Sequence, residues 1–304
     1  MRYISNVEFK HLPQETVVYA CIRNEHERLP YFLDYHKNLG VNKFVIIDNN
    51  STDGGTDYLL ARDDCFVFWT DKNYSSSRCG IDWVNKLLKQ FSINRWVLIL
   101  DADELFVYPN CETNNINQLT KYLDENKANA FQTFLLDMYA KGPLRKAEYT
   151  RGNSFTETCP YFDLDTYQKS LNTHNQLIPN RGGPRKRLFW PKNTPQSGKP
   201  PILNKIPLVK WAEKFSLEAS THILNNATFS DSTGALLHFK LFSDFYHLAE
   251  AESKRGEHWD NAAQYNSYWN ILMKNPNLDP FFDGSTRYIN SLQLIELGLI
   301  FTKK

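Results

Sequence analysis

Short apolar runs alternate with helical patterns along the first 140 residues. Clusters of β-branched and aromatic residues between turn signals predict buried strands, and apolar residues at every third or fourth position predict helices. The predicted strands are Thr16–Ile22, Lys43–Ile47, Cys65–Trp69, Arg95–Leu100 and Ala130–Leu136. The predicted helices are Leu29–Leu39, Thr56–Ala61 and Arg78–Gln90. This alternation is typical of βαβ units, so we expect an α/β, Rossmann-like fold with a mostly parallel sheet and helices on both faces.

The pattern loosens in the second half of the chain. Residues 141–200 are rich in Gly, Pro, Asn and Thr and have little periodicity. Regular patterns return with a predicted strand at Gly234–Lys240 and predicted helices at Ser243–Arg255 and His258–Met273. We interpret residues 1–304 as one domain in which the second half, 141–304, elaborates the first half, 1–140.

Composition narrows the class of protein. The 304 residues include 35 Lys and Arg and 34 Asp and Glu. This balance of charge argues against nucleic acid as a partner. No run of 18 apolar residues suggests a membrane span, and the N-terminus lacks the apolar core of a secretory signal. The five cysteines are dispersed and form no CxxC pair. Reduced thiols and a cytoplasmic location are therefore expected.

The most informative motif is Asp101-Ala102-Asp103-Glu104, which follows the most apolar predicted strand. In open α/β sheets, ligands bind in the crevice outside the carboxyl ends of the strands. Two carboxylates there suit a hard divalent cation such as Mg²⁺ or Mn²⁺. Such an ion would bridge a diphosphate and neutralise charge on a departing phosphate. A solvated acidic loop with Asp101 as a helix cap is the alternative interpretation.

Three motifs at strand ends carry a resemblance to a known family. Asn24-Glu25 follows the first predicted strand, the sequence DNNSTDGG at 48–55 follows the second, and Asp101–Glu104 follows the fourth. With RNEHERLPYFLDYHKNLGV, LDADELFVYP and the later LLHFK, the chain resembles bacterial family 2-type nucleotide-sugar glycosyltransferases of the GT-A fold. The resemblance covers roughly residues 15–270 and assigns the nucleotide sugar to the first half and the acceptor to the second.

The resemblance implies a metal-dependent transfer of a sugar from a nucleoside-diphosphate sugar, UDP-linked by preference, to a hydroxyl acceptor. It implies an inverting hexosyltransferase of surface polysaccharide biosynthesis, with a glycan or lipid-linked acceptor. The basic stretch 181–210 would allow peripheral contact with the inner face of a membrane, because anionic lipid attracts clustered cations.

Several residues are expected to contact the donor. Arg23, Asn24 and Glu25 would edge the base and ribose pocket, and Asp48 would bind a ribose or base edge. By resemblance, Asp71 would approach the nucleobase. The remaining candidates are Asp53 in the glycine turn, Arg78 near the diphosphate, and Asp101. The alternatives are a plain turn with a helix cap for 48–55 and a surface cation for Arg78.

A basic cluster, Arg181-Gly182-Gly183-Pro184-Arg185-Lys186-Arg187, lies within residues 166–212, which contain nine Lys or Arg and no acid. Arginine binds phosphate oxygens bidentately, so Arg185 and Arg187 are candidates for the donor phosphates. Binding of an anionic acceptor, a nucleic-acid patch without a reading platform, and a solvated loop are the alternatives.

The third group lies in LLHFK. The resemblance makes His238 the third metal ligand beside Asp101 and Asp103, and Lys240 a diphosphate contact. His222 is the competing ligand, and Glu257 and His258 are expected to cap the last long helix.

An inverting transfer also needs a general base. The family places this acid well after the DxD motif, commonly in a Glu-Asp pair, and this chain departs from that pattern. The candidates are Asp137, which ends the fifth strand, and Asp163 in an aromatic setting that could raise its pKa; Asp165 and Asp231 are further options.

Two other functions stay open. A nucleotidyltransferase would use the same kind of sheet and Mg²⁺, although it usually carries a glycine-rich basic loop after the first strand. A non-catalytic nucleotide-sugar-binding module would not need the metal carboxylates, which are present. The sequence does not determine the sugar, the nucleobase, the acceptor, the stereochemical outcome or the oligomeric state.

Overall fold

The computed structural model describes residues 1–192, 196, 198–218 and 220–303. Its strands are β1 (Arg2–Tyr3), β2 (Val17–Ile22), β3 (Lys43–Asp48), β4 (Cys65–Trp69), β5 (Trp96–Ile99), β6 (Glu104–Val107), β7 (Ala130–Asp137), β8 (Tyr161–Asp163), β9 (Gln168–Leu171), β10 (Leu177–Arg181), β11 (Asn204–Lys210), β12 (Phe229–His238) and β13 (Ser285–Arg287).

The helices follow the same chain order. They are α1 (Leu29–Asn38), α2 (Gly55–Leu60), α3 (Ile81–Phe91), α4 (Ile116–Glu125), α5 (Phe155–Thr158), α6 (Gly183–Phe189), α7 (Phe245–Arg255), α8 (Trp259–Lys274) and α9 (Ser291–Glu296). Three short 3₁₀ segments among the described residues are Ser75–Ser77, Leu144–Lys146 and Ser220–His222. No helix of this described part is long and apolar enough to cross a membrane.

Within the described residues, nine strands form one sheet in the order β1-β4-β3-β2-β5-β11-β7-β12-β6. β2 is parallel to β3 and β5, β3 to β4, and β7 to β12. β11 lies antiparallel between β5 and β7, while β1 and β6 are antiparallel edge strands. Six of these nine described strands therefore run in one direction, and their carboxyl ends lie at one side of the sheet.

The core lies on both faces of the sheet because alternate residues of a strand point to opposite sides. On one face, Val18 and Ala20 of β2 share a buried cluster with Phe32 of α1 and with residues of α4. On the other face, Val17 and Tyr19 belong to a cluster with the apolar residues of α3. The predicted α/β class, with a mostly parallel sheet and helices on both faces, is confirmed.

The predicted strands of the first half lie within one or two residues of the observed ones. The structure also contains elements that the periodicity did not predict. The most important are β6, which begins directly after Asp103, and β11, which inserts between β5 and β7. β11 and β12 come from the second half of the chain, so both halves contribute strands to one sheet.

Candidate functional site

A cleft of about 1040 Å³ opens at the carboxyl ends of the parallel strands. Its walls come from the loop after β2, the loop between β5 and β6, the end of β12, and α6 and α8. The polar residues that line it include Arg23, Glu25, Arg28, Arg78, Asp101, Asp103, Glu104, Arg181, Arg185, Lys199, Lys205, His222, His238, Lys240, Glu252, Arg255, His258, Tyr265 and Tyr268.

Strand register brings three remote polar residues together. His238, the last residue of β12, pairs with Glu104 of β6 on one side and with Asp137 of β7 on the other. Its Nδ1 lies 2.6 Å from Asp137 Oδ1, and its Nε2 lies 3.4 Å from Asp103 Oδ2. Burial disfavours the carboxylate of Asp103, but His238 outweighs this effect and holds the pKa of Asp103 well below its usual range.

Asp101 belongs to a second ionic group, built around Lys205 of β11. The ammonium of Lys205 donates to Asp101 Oδ2 at 2.8 Å and to Glu104 Oε1 at 2.6 Å. The Lys205 and Glu104 side chains are buried, whereas the Asp101 side chain is 55% exposed. Burial raises the pKa of Glu104 to about 7 against the attraction of Lys205. Burial opposes ionisation of Asp101 as well, but Lys205 lowers the pKa of Asp101.

Glu25 enters the cleft from the loop after β2. Its Oε2 lies 3.2 Å from Nη1 of Arg28, which also pairs with Asp244 at 2.8 Å. Burial raises the pKa of Glu25 to about 7, although Arg28 acts in the opposite direction. Glu25 is therefore a cleft carboxyl that titrates near neutrality.

The structure brings only some of the expected donor residues to the cleft. Arg23 lines it and donates to the Asn49 carbonyl at 3.2 Å. Arg78 lines it too, but its guanidinium pairs with Asp82 at 2.6 Å. Asp71 is exposed and lies outside the set of described residues that form the cleft wall.

The described residues that line the cleft do not include Asn24, Asp48 or Asp53. The Asp48 carboxylate is buried and accepts hydrogen bonds from the Ser51 backbone N–H and hydroxyl and from the Thr56 hydroxyl. Asp53 accepts from the His26 N–H at 2.8 Å, and Asn24 Oδ1 accepts from the Thr52 N–H at 2.8 Å. These side chains join two loops and so position Arg23 and Glu25, instead of meeting a donor themselves.

The two expected bases are not available for proton transfer in this geometry. Asp137 is buried, and its two oxygens accept from His238 and from Arg185 Nε at 2.8 Å. Despite burial, Arg185 and His238 lower the pKa of Asp137. Asp163 is also buried, and its carboxylate accepts from Arg187, Tyr139 and Thr166.

Arg187 is thereby committed to Asp163 and lies over the Phe282 ring, with 4.1 Å between Cζ and the ring centroid. It is outside the described cleft lining, so the expected phosphate role of Arg187 is not supported. Asp165 is exposed, and Asp231 pairs with Tyr122 and Lys303 outside this lining. Arg185 and Lys240, in contrast, do line the cleft.

The competing histidines also lie at the cleft. His222 Nδ1 faces the Asn204 carbonyl, and burial lowers the pKa of His222 to about 4. His258 occupies the N-cap position of α8 without a side-chain capping bond, and its Nε2 lies 3.1 Å from Glu252. Glu257 accepts from the Tyr74 N–H instead of capping the helix.

The residues around Asp103 fit a divalent cation that arrives with a phosphate. The 3.4 Å between His238 Nε2 and Asp103 Oδ2 is close to the roughly 3 Å between neighbouring ligands of an octahedral ion. Asp137 on Nδ1 is the carboxylate partner that orients a ligating imidazole. Among the described residues, no group of three or more His, Cys, Asp or Glu side chains could by itself hold a metal. Phosphate oxygens commonly supply the remaining ligands of nucleotide-bound Mg²⁺.

The cleft residues that were not identified from the sequence include Arg28, Lys205, Tyr265 and Tyr268. Lys205 had one visible signal in the sequence, because it is a charged residue directly before the apolar run 206–209. The other three sit in ordinary helical or turn patterns and reach the cleft only through packing.

Comparison with known proteins gives similarity to solved structures only. No family model and no curated protein matches the chain. A protein from Bacillus anthracis assigned as a glucose-1-phosphate thymidylyltransferase is 14% identical, with 93% of each chain covered and a TM-score of 0.32.

Two further structures have lower scores. A 4-diphosphocytidyl-2C-methyl-D-erythritol synthase is 10% identical, with 94% of this chain and 98% of that chain covered and a TM-score of 0.29. The inositol-1-phosphate CTP transferase of T. maritima is 11% identical, with 95% and 96% covered and a TM-score of 0.26. At these identities and TM-scores, the similarities carry no argument about the reaction of this chain.

Proposed function

We propose that this protein is a transferase that uses a nucleoside-diphosphate sugar and moves the sugar to a hydroxyl acceptor. One observation carries the proposal: Asp101, Asp103 and His238 converge in a large cleft at the carboxyl ends of the strands. Neither a solvated loop nor a scaffold requires a buried imidazole held between two carboxylates. The strand-end motifs that resemble GT-A glycosyltransferases support the same reaction.

Asp103 and His238 would hold Mn²⁺ or Mg²⁺ together with phosphate oxygens of the donor. Asp101, expected as a third ligand, instead pairs with Lys205 and completes no three-residue metal group among the described residues. The ion would neutralise charge on the diphosphate as the sugar leaves. Asp137 fixes the imidazole of His238 by accepting from Nδ1, so Asp137 is a positioning residue in this proposal. Lys205 adds positive charge beside Asp101, where a preorganised cation would stabilise a leaving nucleotide.

Glu25 takes the role of general base that Asp137 and Asp163 cannot fill. It lines the cleft, and its pKa of about 7 suits proton transfer near neutral pH. The acceptor that it would deprotonate belongs to the glycan or lipid-linked class given by the resemblance. The basic stretch 181–210 does not support the expected membrane contact, because Arg185, Arg187 and Lys205 are committed to carboxylates inside the fold.

Nucleotidyl transfer is the second candidate. The same cleft carboxylates would suit a metal–triphosphate complex. The loop after β2 contains Arg23, Asn24, Glu25, His26 and Glu27 and no glycine, which favours glycosyl transfer. A pure binding module is less well supported, because it would not need the His238–Asp137 pair.

Thermal unfolding with UDP, GDP and CDP, each with and without Mn²⁺, tests the donor site. A ligand at a hundredfold excess over its Kd stabilises a protein by about 2.7 kcal/mol. We expect one nucleotide to raise the melting temperature and Mn²⁺ to increase that rise. Asp103→Asn should remove the metal-dependent part, whereas Asp34→Asn, at an exposed site on α1, should keep it.

Product analysis then separates the two reactions. A nucleotide sugar incubated with the protein and Mn²⁺ should slowly release a nucleoside diphosphate, and a nucleotidyltransferase should release pyrophosphate from a nucleoside triphosphate and a sugar phosphate. Absence of any nucleotide-dependent stabilisation, or an unchanged metal effect in Asp103→Asn, would overturn the donor-site proposal.

A further inference from the structure

Two buried hydrogen-bond donors in the cleft wall lie near each other and make no well-formed hydrogen bond with any of the described residues. They are Nη2 of Arg185 on α6 and the hydroxyl of Tyr268 on α8. Arg185 is 5% exposed and Tyr268 is 1% exposed, and both line the cleft. Leaving such donors unpaired opposes folding, so each calls for an explanation.

The guanidinium of Arg185 is held in place through its Nε atom. Its Nε donates to Asp137 at 2.8 Å, and this carboxylate is in turn fixed by His238. The guanidinium therefore cannot swing to another partner without breaking a buried ion pair. Its unpartnered nitrogen is presented at a fixed place in the cleft wall.

The surroundings add further donors. The ammonium of Lys240 lies over the Tyr265 ring, 5.3 Å from its centroid. Tyr265 packs edge-on against Tyr268, with 5.6 Å between ring centroids, and all three residues line the cleft with Arg185. Two cations and two phenols thus meet on one wall, which we call the α6–α8 wall (Arg185, Lys240, Tyr265 and Tyr268).

This chemistry suits an anion. Guanidinium and ammonium groups are donors without acceptor capacity, and a phenol can donate as well. A phosphate or carboxylate group can accept several such bonds at once, and arginine binds both groups bidentately. A neutral sugar hydroxyl would satisfy fewer of them.

The position of the wall separates it from the expected nucleotide end. Arg23 and Asn49 follow β2 and β3, whereas Asp137, which holds Arg185, ends β7 and Lys240 follows β12. Two strands, β5 and β11, lie between β2 and β7 in the sheet. Pockets for one small ligand measure about 300–1,000 Å³, so the cleft of about 1040 Å³ lies at the upper end of that range.

We propose that the α6–α8 wall binds an anionic group, a phosphate or carboxylate, of the second substrate. This inference rests on the proposed function, because it assumes that a nucleotide sugar occupies the other end of the cleft. It names the class of acceptor: an acidic molecule, such as a phosphorylated or carboxylated sugar.

Inorganic phosphate is the probe for this site. Its affinity is measured by thermal unfolding with EDTA present, so that no metal can bridge the phosphate to the protein. Phosphate should stabilise the wild type, and Tyr268→Phe should weaken its affinity about tenfold or more. Without phosphate, Tyr268→Phe should melt close to the wild-type temperature, because its hydroxyl makes no well-formed hydrogen bond in the free protein.

Two further variants make the test specific. Tyr246→Phe removes an exposed hydroxyl that donates to the Pro276 carbonyl, and it should leave phosphate affinity unchanged. Arg185→Lys keeps a charge beside Asp137 but loses the planar fork, so it should weaken phosphate binding. Equal phosphate affinity in wild type and Tyr268→Phe, or no stabilisation by phosphate at all, would overturn the site.

Repeating the phosphate titration with Mg²⁺ and a saturating nucleotide distinguishes the two sources of the anion. Unchanged phosphate affinity in the nucleotide-bound protein supports the second substrate. Competition between phosphate and nucleotide would assign the wall to the donor diphosphate and overturn the proposal. If no nucleotide binds, the first titration still tests the wall, so failure of the proposed function is recognised separately.

Discussion

At the scale of single residues, the surroundings of a carboxyl group decide its charge and so the role that it can play. Glu25 and Asp103 both line the cleft, but Asp103 faces His238 and stays ionised, whereas burial raises the pKa of Glu25 to about 7. A permanently ionised carboxylate suits a metal, and one that titrates near neutrality suits proton transfer. The two roles that we propose therefore follow from the partners of each side chain.

Glu25→Gln tests the proposed base. Removal of a general base typically costs about 10²- to 10⁴-fold in rate, and kcat should fall by this factor. In the wild type, kcat/KM should rise with pH through about 7, because Glu25 must lose its proton to act as a base. The neighbouring exposed Glu27→Gln is the control and should keep the wild-type profile. Activity retained by Glu25→Gln, or a rate that does not change through pH 7, would contradict the assignment.

At the scale of elements, β11 illustrates how one strand serves both the core and the site. β11 inserts antiparallel between β5 and β7. Lys205, its second residue, pairs with Asp101 and Glu104. The other end of β11 carries Lys210, whose pair with Asp124 is 38% and 43% exposed. The same residue type on the same strand therefore makes one buried pair and one solvated pair.

Comparison of Lys205→Met with Lys210→Met tests this difference. Loss of one partner from a buried ion pair costs about 3–5 kcal/mol, whereas an exposed pair contributes less than about 1 kcal/mol. Glu104 can take up a proton when Lys205 is removed, so we expect Lys205→Met to lower the free energy of unfolding by about 3 kcal/mol. Urea unfolding at pH 7 measures both variants. Equal stability of the two variants would show that the Lys205 group is not a buried ion pair.

At the scale of the whole molecule, one buried histidine joins a helix to the far edge of the sheet. His36 of α1 donates from Nδ1 to the Phe32 carbonyl at 2.8 Å, and its Nε2 accepts from the Phe106 N–H of β6 at 3.3 Å. Protonation would place two N–H groups against each other. Burial lowers the pKa of His36 to about 4, so the folded protein holds this ring neutral.

This coupling predicts how stability depends on pH. The unfolded histidine binds a proton near pH 6.5, but the folded one does so only near pH 4, so acidification between these values favours the unfolded state. His11 and His222, also lowered to about 4, act in the same direction, while Glu25 and Glu104, raised to about 7, act in the opposite direction between about pH 7 and 4.5. Urea unfolding should therefore show a smaller loss of stability on acidification in His36→Gln than in the wild type. His174→Gln, at an exposed site, should keep the wild-type loss, and an identical loss in all three proteins would refute this coupling.

The sequence by itself determined the parallel strands of the first half and the place of the ligand cleft. β2, β3, β4 and β5 are nearly continuous apolar runs, which need burial on both faces, so their alternation with helices left little choice of architecture. Asp101, Asp103 and Glu25 follow such strands directly, and the carboxyl ends of parallel strands meet at one side of the sheet. Local pattern was sufficient wherever a residue's neighbours in space are also its neighbours in the chain.

Only the tertiary structure decided which charged groups meet. Asp48 and Asp53 stand at strand ends like Asp101, yet their oxygens are used by loop N–H and hydroxyl groups. Asp137 and Asp163 became partners of Arg185 and Arg187, because α6 packs against them across the fold. The register of β12 between β6 and β7 set His238 beside Asp103 and Asp137. Such contacts join residues up to 135 positions apart in the chain, and no periodicity encodes them because they depend on how complete elements pack.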